Sequence, residues 1–476
     1  MPTNNNVALL HRKEWQMMTP APVASAAGAF VIAPDSGNWN NALYVTSATV
    51  HYLYNHDEDG FMQIPSGALA GTFGAGACGV FHPWSINYTA NGGTTTTVTV
   101  AAATHNITGR IDGQTIEFIS AGTSSGHRAT VTNILNNAGS GTITITFSPA
   151  APTAIANSHT FRATTGRFYL MNAGTVAAGI FKVFDVGTMA WQANLTTTGL
   201  PAAWGTDGKL VTAYHFGEIF ATGTATGGTG TTLVDAVKTW GTNQWTNYMV
   251  RITGGTGIGQ TRVISSNTGT TLTVPAWTTN PDVTSTYEIT ANEDWLYLLG
   301  NNAVTMYRYS ISANTWATVA PTVARSGAPV AGMTANAIGE TGYSVWADES
   351  AILDGRYIYS LRGGATATLD RFDIAGGTSG AGAWAVVGYI GTDTFTTGSS
   401  AFPMGEFIYI RKDATNRFFK YSVVDNAMRP FNTNTYTDGV AVLGNKIWVK
   451  NLEGSNVKWV YSLQNTGTAL HRVLII

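Results

Sequence analysis

The chain has 476 residues, only 11% of them charged, with a net charge of −2 and no basic block. Ordinary domains carry about 25% charged residues, so the polar surface must come from Thr, Ser and Asn; this balance argues against a basic nucleic-acid-binding face and against exposed helices laced with Lys, Glu and Arg pairs. The 54 glycines and the Thr-rich runs mark turns and strands instead. Length alone suggests roughly three domains. No apolar run approaches the ~20 residues of a membrane span, and MPTNNNVALLHRKEW lacks the apolar core of a secretion signal.

In chain order, residues 14–22 (EWQMMTPAP) read as the last strand of a unit with no strands before it. The C-terminal strands, ending in LHRVLII, can accept it, which would remove an open sheet edge. One unit then recurs six times. It has a strand with an aligned aromatic (Tyr44, Tyr169, Tyr297, Tyr359, Tyr409 and Trp448), a turn, and a strand ending in an aromatic followed by Asp, Ser or Asn. Trp191, Trp316 and Trp384 follow three of these pairs, and Phe61 takes that place in the first. An antiparallel pair is not stable alone, so the units must stack.

Between these units lie motifs that each suggest some chemistry. Asn55-His-Asp57-Glu-Asp59-Gly60 resembles the first half of a calcium loop, but its twelfth position is Ser66, and a tight Asp-Gly hairpin needs the same residues. Gly74, Gly76 and Gly79 match a dinucleotide fingerprint, but Pro83 forbids the helix that must follow, so a Gly-rich strand or bend is the better reading. Cys78, the only cysteine, cannot form an intrachain disulfide and reads as a small buried apolar residue. The nine histidines (His11, His51, His56, His82, His105, His127, His159, His215 and His471) contain no zinc-binding spacing. APDSGNW (33–39) is one imperfect fragment of a sialidase-type box, and a glycosidase carboxylate pair is not locatable from sequence. Trp84, Trp240, Trp245 and Trp277 could stack on sugars if exposed, but core packing is the commoner fate of Trp in small β-domains. No catalytic, cofactor-binding or metal-ligating residue is assigned, no cofactor is expected, and the chain is not expected to be an enzyme.

The spacing between aligned aromatics is far longer from Tyr44 to Tyr169 and from Tyr169 to Tyr297 than afterwards, so these gaps hold inserted domains. The inserts resemble each other: in SAGTSSGHRATV (120–131) and TGGTGIGQTRVI (253–264), Gly122, Thr123 and Gly126 fall on Gly255, Thr256 and Gly259. Both continue into a Thr-rich strand and a Pro-Ala pair, Pro149–Ala150 and Pro275–Ala276. Each reads as a copy of one small β-barrel or sandwich.

The repeated units resemble Kelch-type repeats, although the usual Gly-Gly doublet stands near only one unit, at Gly363–Gly364. The resemblance implies an all-β fold, a β-propeller of six blades with seven left open. Its parts are 1–84 (closing strand and first blades), insert 85–165, 166–220, insert 221–290 and 291–476. A Kelch-type copper oxidase would need a reactive Cys beside Tyr and His ligands, which Cys78 in a Gly-rich stretch does not supply. The second insert resembles a module of structural proteins of tailed bacteriophages. That resemblance implies a virion component assembled in the host bacterial cytoplasm, a tail protein of nozzle or hub type forming a homo-oligomeric ring around the DNA path. Its partners would be other virion proteins, with neither sequence-specific nucleic acid nor a membrane span. A carbohydrate-binding or host-adhesion module, or a capsid-decorating protein, is the alternative. Both inserts are expected to leave between the innermost and second strands of adjacent blades, on one face, and to offer neighbours a broad contact.

Overall fold

The structure, a computed structural model, describes residues 15–475 apart from 34–40, 103–114, 202–208, 327–334, 338–355, 388–392, 434–446, 452–457 and shorter stretches of four residues or fewer. The fold is all-β, with antiparallel sheets and no α-helix among the described residues. Alternating apolar positions and Gly- or Asn-centred turns favour antiparallel meanders over any helix.

Six meanders of four strands carry the repeated units. The first is Phe30–Ile32, Asn41–Val45, Tyr52–Asn55 and Gly60–Gln63. The second is one arm of a larger sheet, with Cys78–Gly93, Asn157–Met171, Phe181–Asp185 and Ala190–Trp191. Lys209–Thr212, Trp295–Leu299, Met306–Ser310 and Thr315–Val319 make the third. The fourth is Ala335–Ala337, Tyr357–Arg362, Thr368–Asp373 and Ala383–Val386, and the fifth is Ser400–Met404, Phe407–Arg411, Arg417–Ser422 and Ala427–Thr433. In the sixth, Ile447–Asn451, Lys458–Leu463 and Leu470–Ile475 are joined by Gln16–Met17 from the other end of the chain.

That last pairing, Gln16 with Arg472 and Met17 with His471, is the closing strand read from EWQMM. It continues as Met18 N–H to Leu470 O (2.8 Å), Ala21 N–H to Thr468 O and Ser25 N–H to Gly467 O. The first strands of the first five sheets lie side by side in order, Ser400–Met404 lies beside Ile447–Asn451 of the sixth, and Ile447–Asn451 lies beside Phe30–Ile32 again, so the order of neighbours is a closed circuit. Any strand preceding Ile447–Asn451 in the sixth sheet falls outside the described residues.

The core lies between the sheets. Separate apolar clusters join the first sheet to the second, the second to the third, the third to the fourth and the fourth to the fifth, and one more joins the fifth and sixth back to the first. All six aligned aromatics are buried in these clusters. Two outer-strand tryptophans also tie sheet to sheet: Trp191 Nε1–H donates to Pro65 O (3.0 Å) and Trp316 Nε1–H to Thr196 O (3.1 Å).

A second repeat, unread in the sequence, marks the turn after each third strand. The residues at Asp59, Met189, Asn314, Gly377, Asn426 and Thr466 all have positive φ, between 48° and 72°. Each stands five residues after the third-strand aromatic Tyr54, Phe184, Tyr309, Phe372, Tyr421 or Tyr461. Asn, Asp and Gly tolerate this left-handed backbone best. Three of the tyrosines lock the turn, donating from the hydroxyl to Asp59 Oδ1 (2.8 Å), Asn314 Oδ1 (2.7 Å) and Asn426 Oδ1 (2.7 Å).

The insertions lie between the first and second strands of the second and third sheets. The expected boundaries at 84 and 166, however, fall inside strands. Cys78–Gly93 and Asn157–Met171 pair from Met171–Cys78 at the sheet to Asn157–Asn91 in the insert, with one irregularity near the far end. Two-residue alternation carries on through both segments, so nothing in the chain breaks the ladder there.

Candidate functional site

The inserts, here modules A (residues 85–165) and B (221–290), fold alike. In A, the end of Cys78–Gly93 pairs with Thr97–Ala101, which pairs with Thr142–Ser148, then Arg128–Asn137, then Thr115–Ser120, then Asn157–Met171. In B the same order runs through Gly227–Thr229, Thr232–Val234, Thr271–Thr273 and Ser266–Asn267 in one sheet. A second sheet holds Thr261–Val263, Met249–Gly254, Thr286–Thr290 and Ala221–Thr224. Alternation sends Ile116, Phe118, Phe161 and Ala163 into the core of A, and Val250, Ile252, Tyr287 and Ile289 into that of B. The residues between them point outward: Glu117 and Arg162, cross-strand partners in A, and Arg251 and Glu288, the same pair in B with the charges exchanged.

These outward faces meet. Arg251 contacts both Glu117 and Glu288, the latter at 2.8 Å. Arg162 Nε lies 3.0 Å from Glu117, and Arg128 reaches Glu288 at 2.7 Å. All four central side chains are at most 14% exposed. Charges so buried hold only when paired, and removing one partner strands the others. Burial works against the charge on Arg162, yet Glu117 and Glu293 keep it firmly protonated. Burial pushes the Glu288 carboxyl up against the pull of Arg128. The hydroxyl of Tyr214, buried nearby, is pushed far above its ordinary range by burial.

The contacts are reciprocal. A Cβ at Gly126 would meet Thr253 O at 2.6 Å, and one at Gly259 would lie 3.3 Å from Ile119. Gly126 corresponds to Gly259, and Ile119 and Thr253 are the extra residues at the same break in strand register, so each module offers its partner the same pair of positions. Both glycines have φ near +80°, which with the close approach explains the G-T-x-x-G pattern shared by the inserts. Clefts of 240 Å³ and 450 Å³ flank the Glu117–Arg251 contact. A third, of 500 Å³, opens between Asn87, Arg162, Arg262, Glu293, Asp294 and Ser312.

Module B also leans on the fourth sheet. Asn247 Nδ2 donates to Ile374 O (2.7 Å) and Gly380 O (2.8 Å), and Arg356 donates to Gln244 O (3.2 Å). His82, in the root of A, bonds Thr212 Oγ1 and Glu293 O, on either side of the insertion point of B.

The motifs singled out earlier fall elsewhere. Asn55 Oδ1 accepts from Asp57 N–H and Glu58 N–H, and Asp59 accepts from Thr19 N–H and Tyr54, so the loop is a hairpin bound to the closing strand. Cys78 and Gly79 lie in a strand, Cys78 buried, while Gly76 is outside the described residues. Among the described residues no three His, Cys, Asp or Glu side chains are grouped so as to hold a metal ion. His56 accepts from Trp448 Nε1–H (2.9 Å); His51, His82 and His471 are buried. His127 bonds Pro149 O and His159 bonds Ala156 N–H, while His11, His105 and His215 lie outside the described residues. Trp245 and Trp277 are core residues of B, with Trp240 packed against them, and nothing is described of the Trp84 side chain. Sequence reasoning missed the charged junction: aligned on Gly122 and Gly255, Glu117 falls one residue short of Arg251, and the two charges match only in the strand register. No protein-family model matches the chain, and no curated protein matches it either.

Proposed function

We propose that the chain is a structural virion component of a tailed phage. Its six-sheet circuit would be a six-bladed propeller, and its role that of a tail protein, of nozzle or hub type, assembling as a ring that passes DNA without reading its sequence. The closed order of neighbouring innermost described strands supports the propeller. The observation that carries the role is the module pair: two copies of one β-module project from adjacent sheets and are fixed to each other by buried ion pairs. Insertions on a rigid scaffold are where proteins place their contacts, and this pair is a stiff platform for a neighbouring subunit. A low charge content also suits a lumen along which a phosphate backbone slides, because Lys and Arg contacts would hold it.

The test is to purify particles that carry the protein and count it by quantitative mass spectrometry. A fixed low copy number that co-purifies with tails fits the proposal. Absence from particles, or a capsid-scale number, overturns the tail assignment. The 500 Å³ cleft beside Asn87, Glu293 and Asp294 favours the glycan-binding alternative, since such polar groups suit sugar hydroxyls. Saturable binding of host polysaccharide that is lost in Asn87→Ala would support that reading.

A further inference from the structure

The junction of the modules has the geometry of a twofold dimer inside one chain, and its charges break the symmetry. By strand register, Glu117 stands opposite both Arg162 and Arg128 in A, and Arg251 stands opposite both Glu288 and Thr261 in B. The corresponding residues are therefore Glu117 and Arg251, Arg162 and Glu288, Arg128 and Thr261. A twofold interface places each residue near the axis against its own counterpart, as Glu117 is placed against Arg251.

Substituting like modules into this geometry gives a definite result. Two A modules would set Glu117 against Glu117 and Arg128 against Arg162. Two B modules would set Arg251 against Arg251. Both arrangements bury like charges, whereas the unlike pair makes Glu117–Arg251 and Arg128–Glu288 contacts. Specificity of this kind rests on the repulsion as much as on the attraction.

We propose that the junction face is a self-recognition surface whose charge code admits only an unlike pair of modules. Its partner is a module of this same fold with the opposite charge at the axis: normally the other module of the chain, and, when that one is mismatched, the matching module of a second copy. The code keeps crowded copies from pairing like with like, and it does not depend on the virion reading.

The full-length chain tests it through exchanges that keep the cross-strand pair within each module. E117R/R128T/R162E gives both modules the B code, R251E/T261R/E288R gives both the A code, and all six changes together exchange the codes. Amide exchange in Thr115–Ser120 and Met249–Gly254 is the readout. Each single-module exchange should speed exchange there by about tenfold or more. The six-residue exchange should restore wild-type protection, and so should mixing the two single-module variants, whose modules match only between chains. Unchanged protection in either single-module variant overturns the code. So does lost protection in the six-residue variant, whether from misfolding or from opening. A mixture that stays unprotected while the six-residue variant is protected overturns pairing between copies.

Discussion

Modules A and B have the same strand order and nearly the same core, yet they are mounted differently. A grows out of the second sheet through two strands, Cys78–Gly93 and Asn157–Met171, that stay paired from sheet to module. The strands of B, Ala221–Thr224 and Thr286–Thr290, do not continue Lys209–Thr212 and Trp295–Leu299. B is held from the side instead, by A through Arg251 and by the fourth sheet through Asn247. A fold can thus aim an inserted domain by backbone continuity or by lateral polar contact. The second way leaves the domain's position open to single side-chain changes.

Arg251→Ala should expose this difference most sharply. It takes from Glu117 and Glu288 the arginine they share and leaves Arg162 and Arg128 beside them, at a cost of about 3 kcal/mol. Urea denaturation combined with amide exchange should show B losing protection well before the six sheets. Equal loss in A and B would mean that the mounting is the same for both.

Acid should act elsewhere, on the packing of the sheet that carries A against its neighbour. His51, packed on Phe73 and Trp191 where the first and second sheets meet, is lowered to about 4 by burial, with the nearby Lys182 ammonium adding to the effect. The unfolded chain takes up this proton from about pH 6.5 downward and the folded chain only near pH 4. Its stabilising contribution is therefore present above pH 6.5 and lost as pH falls to 4, a loss of about 3 kcal/mol. Thermal melts across this range should show the slope, and His51→Gln should flatten it. His471, also lowered by burial, leaves a residual slope.

Smaller effects separate the mounts further. Asn247→Ala removes two hydrogen bonds to the fourth sheet, at about 1–2 kcal/mol. It should raise amide exchange in 221–290 while leaving 115–137 unchanged. Asn314→Ala should cost about 1 kcal/mol, from the left-handed backbone and the lost Tyr309 bond, and Asn314→Gly less. Equal melting of these two variants would show that the backbone conformation contributes nothing there.

Much of the scaffold was legible because it repeats. The aromatics from Tyr44 to Trp448 align by eye, and the unpaired EWQMM pointed to its partner at the far end of the chain. The duplication of the modules showed in Gly126 and Gly259, because both stand at positive φ, where glycine is favoured, and at Gly126 the Thr253 carbonyl also leaves no room for a side chain. The module boundary at 84 was misplaced because a strand that passes from one domain to the next keeps its alternation. The left-handed turns were missed because Asp59, Met189 and Thr466 share a conformation and not a residue type. The junction was hidden for another reason: Glu117 and Arg251 are 134 residues apart, and on a strand each reads as an ordinary outward-facing charge. Only the packing of one module on the other buries them.

The most direct test of this account is a cryo-EM reconstruction of the purified full-length protein. It should show six antiparallel sheets in a closed circuit, sealed where Gln16–Met17 meets Leu470–Ile475. Both modules should lie on one side, joined across Glu117 and Arg251. An open arc of sheets, or modules that stand apart or on opposite sides, would contradict it.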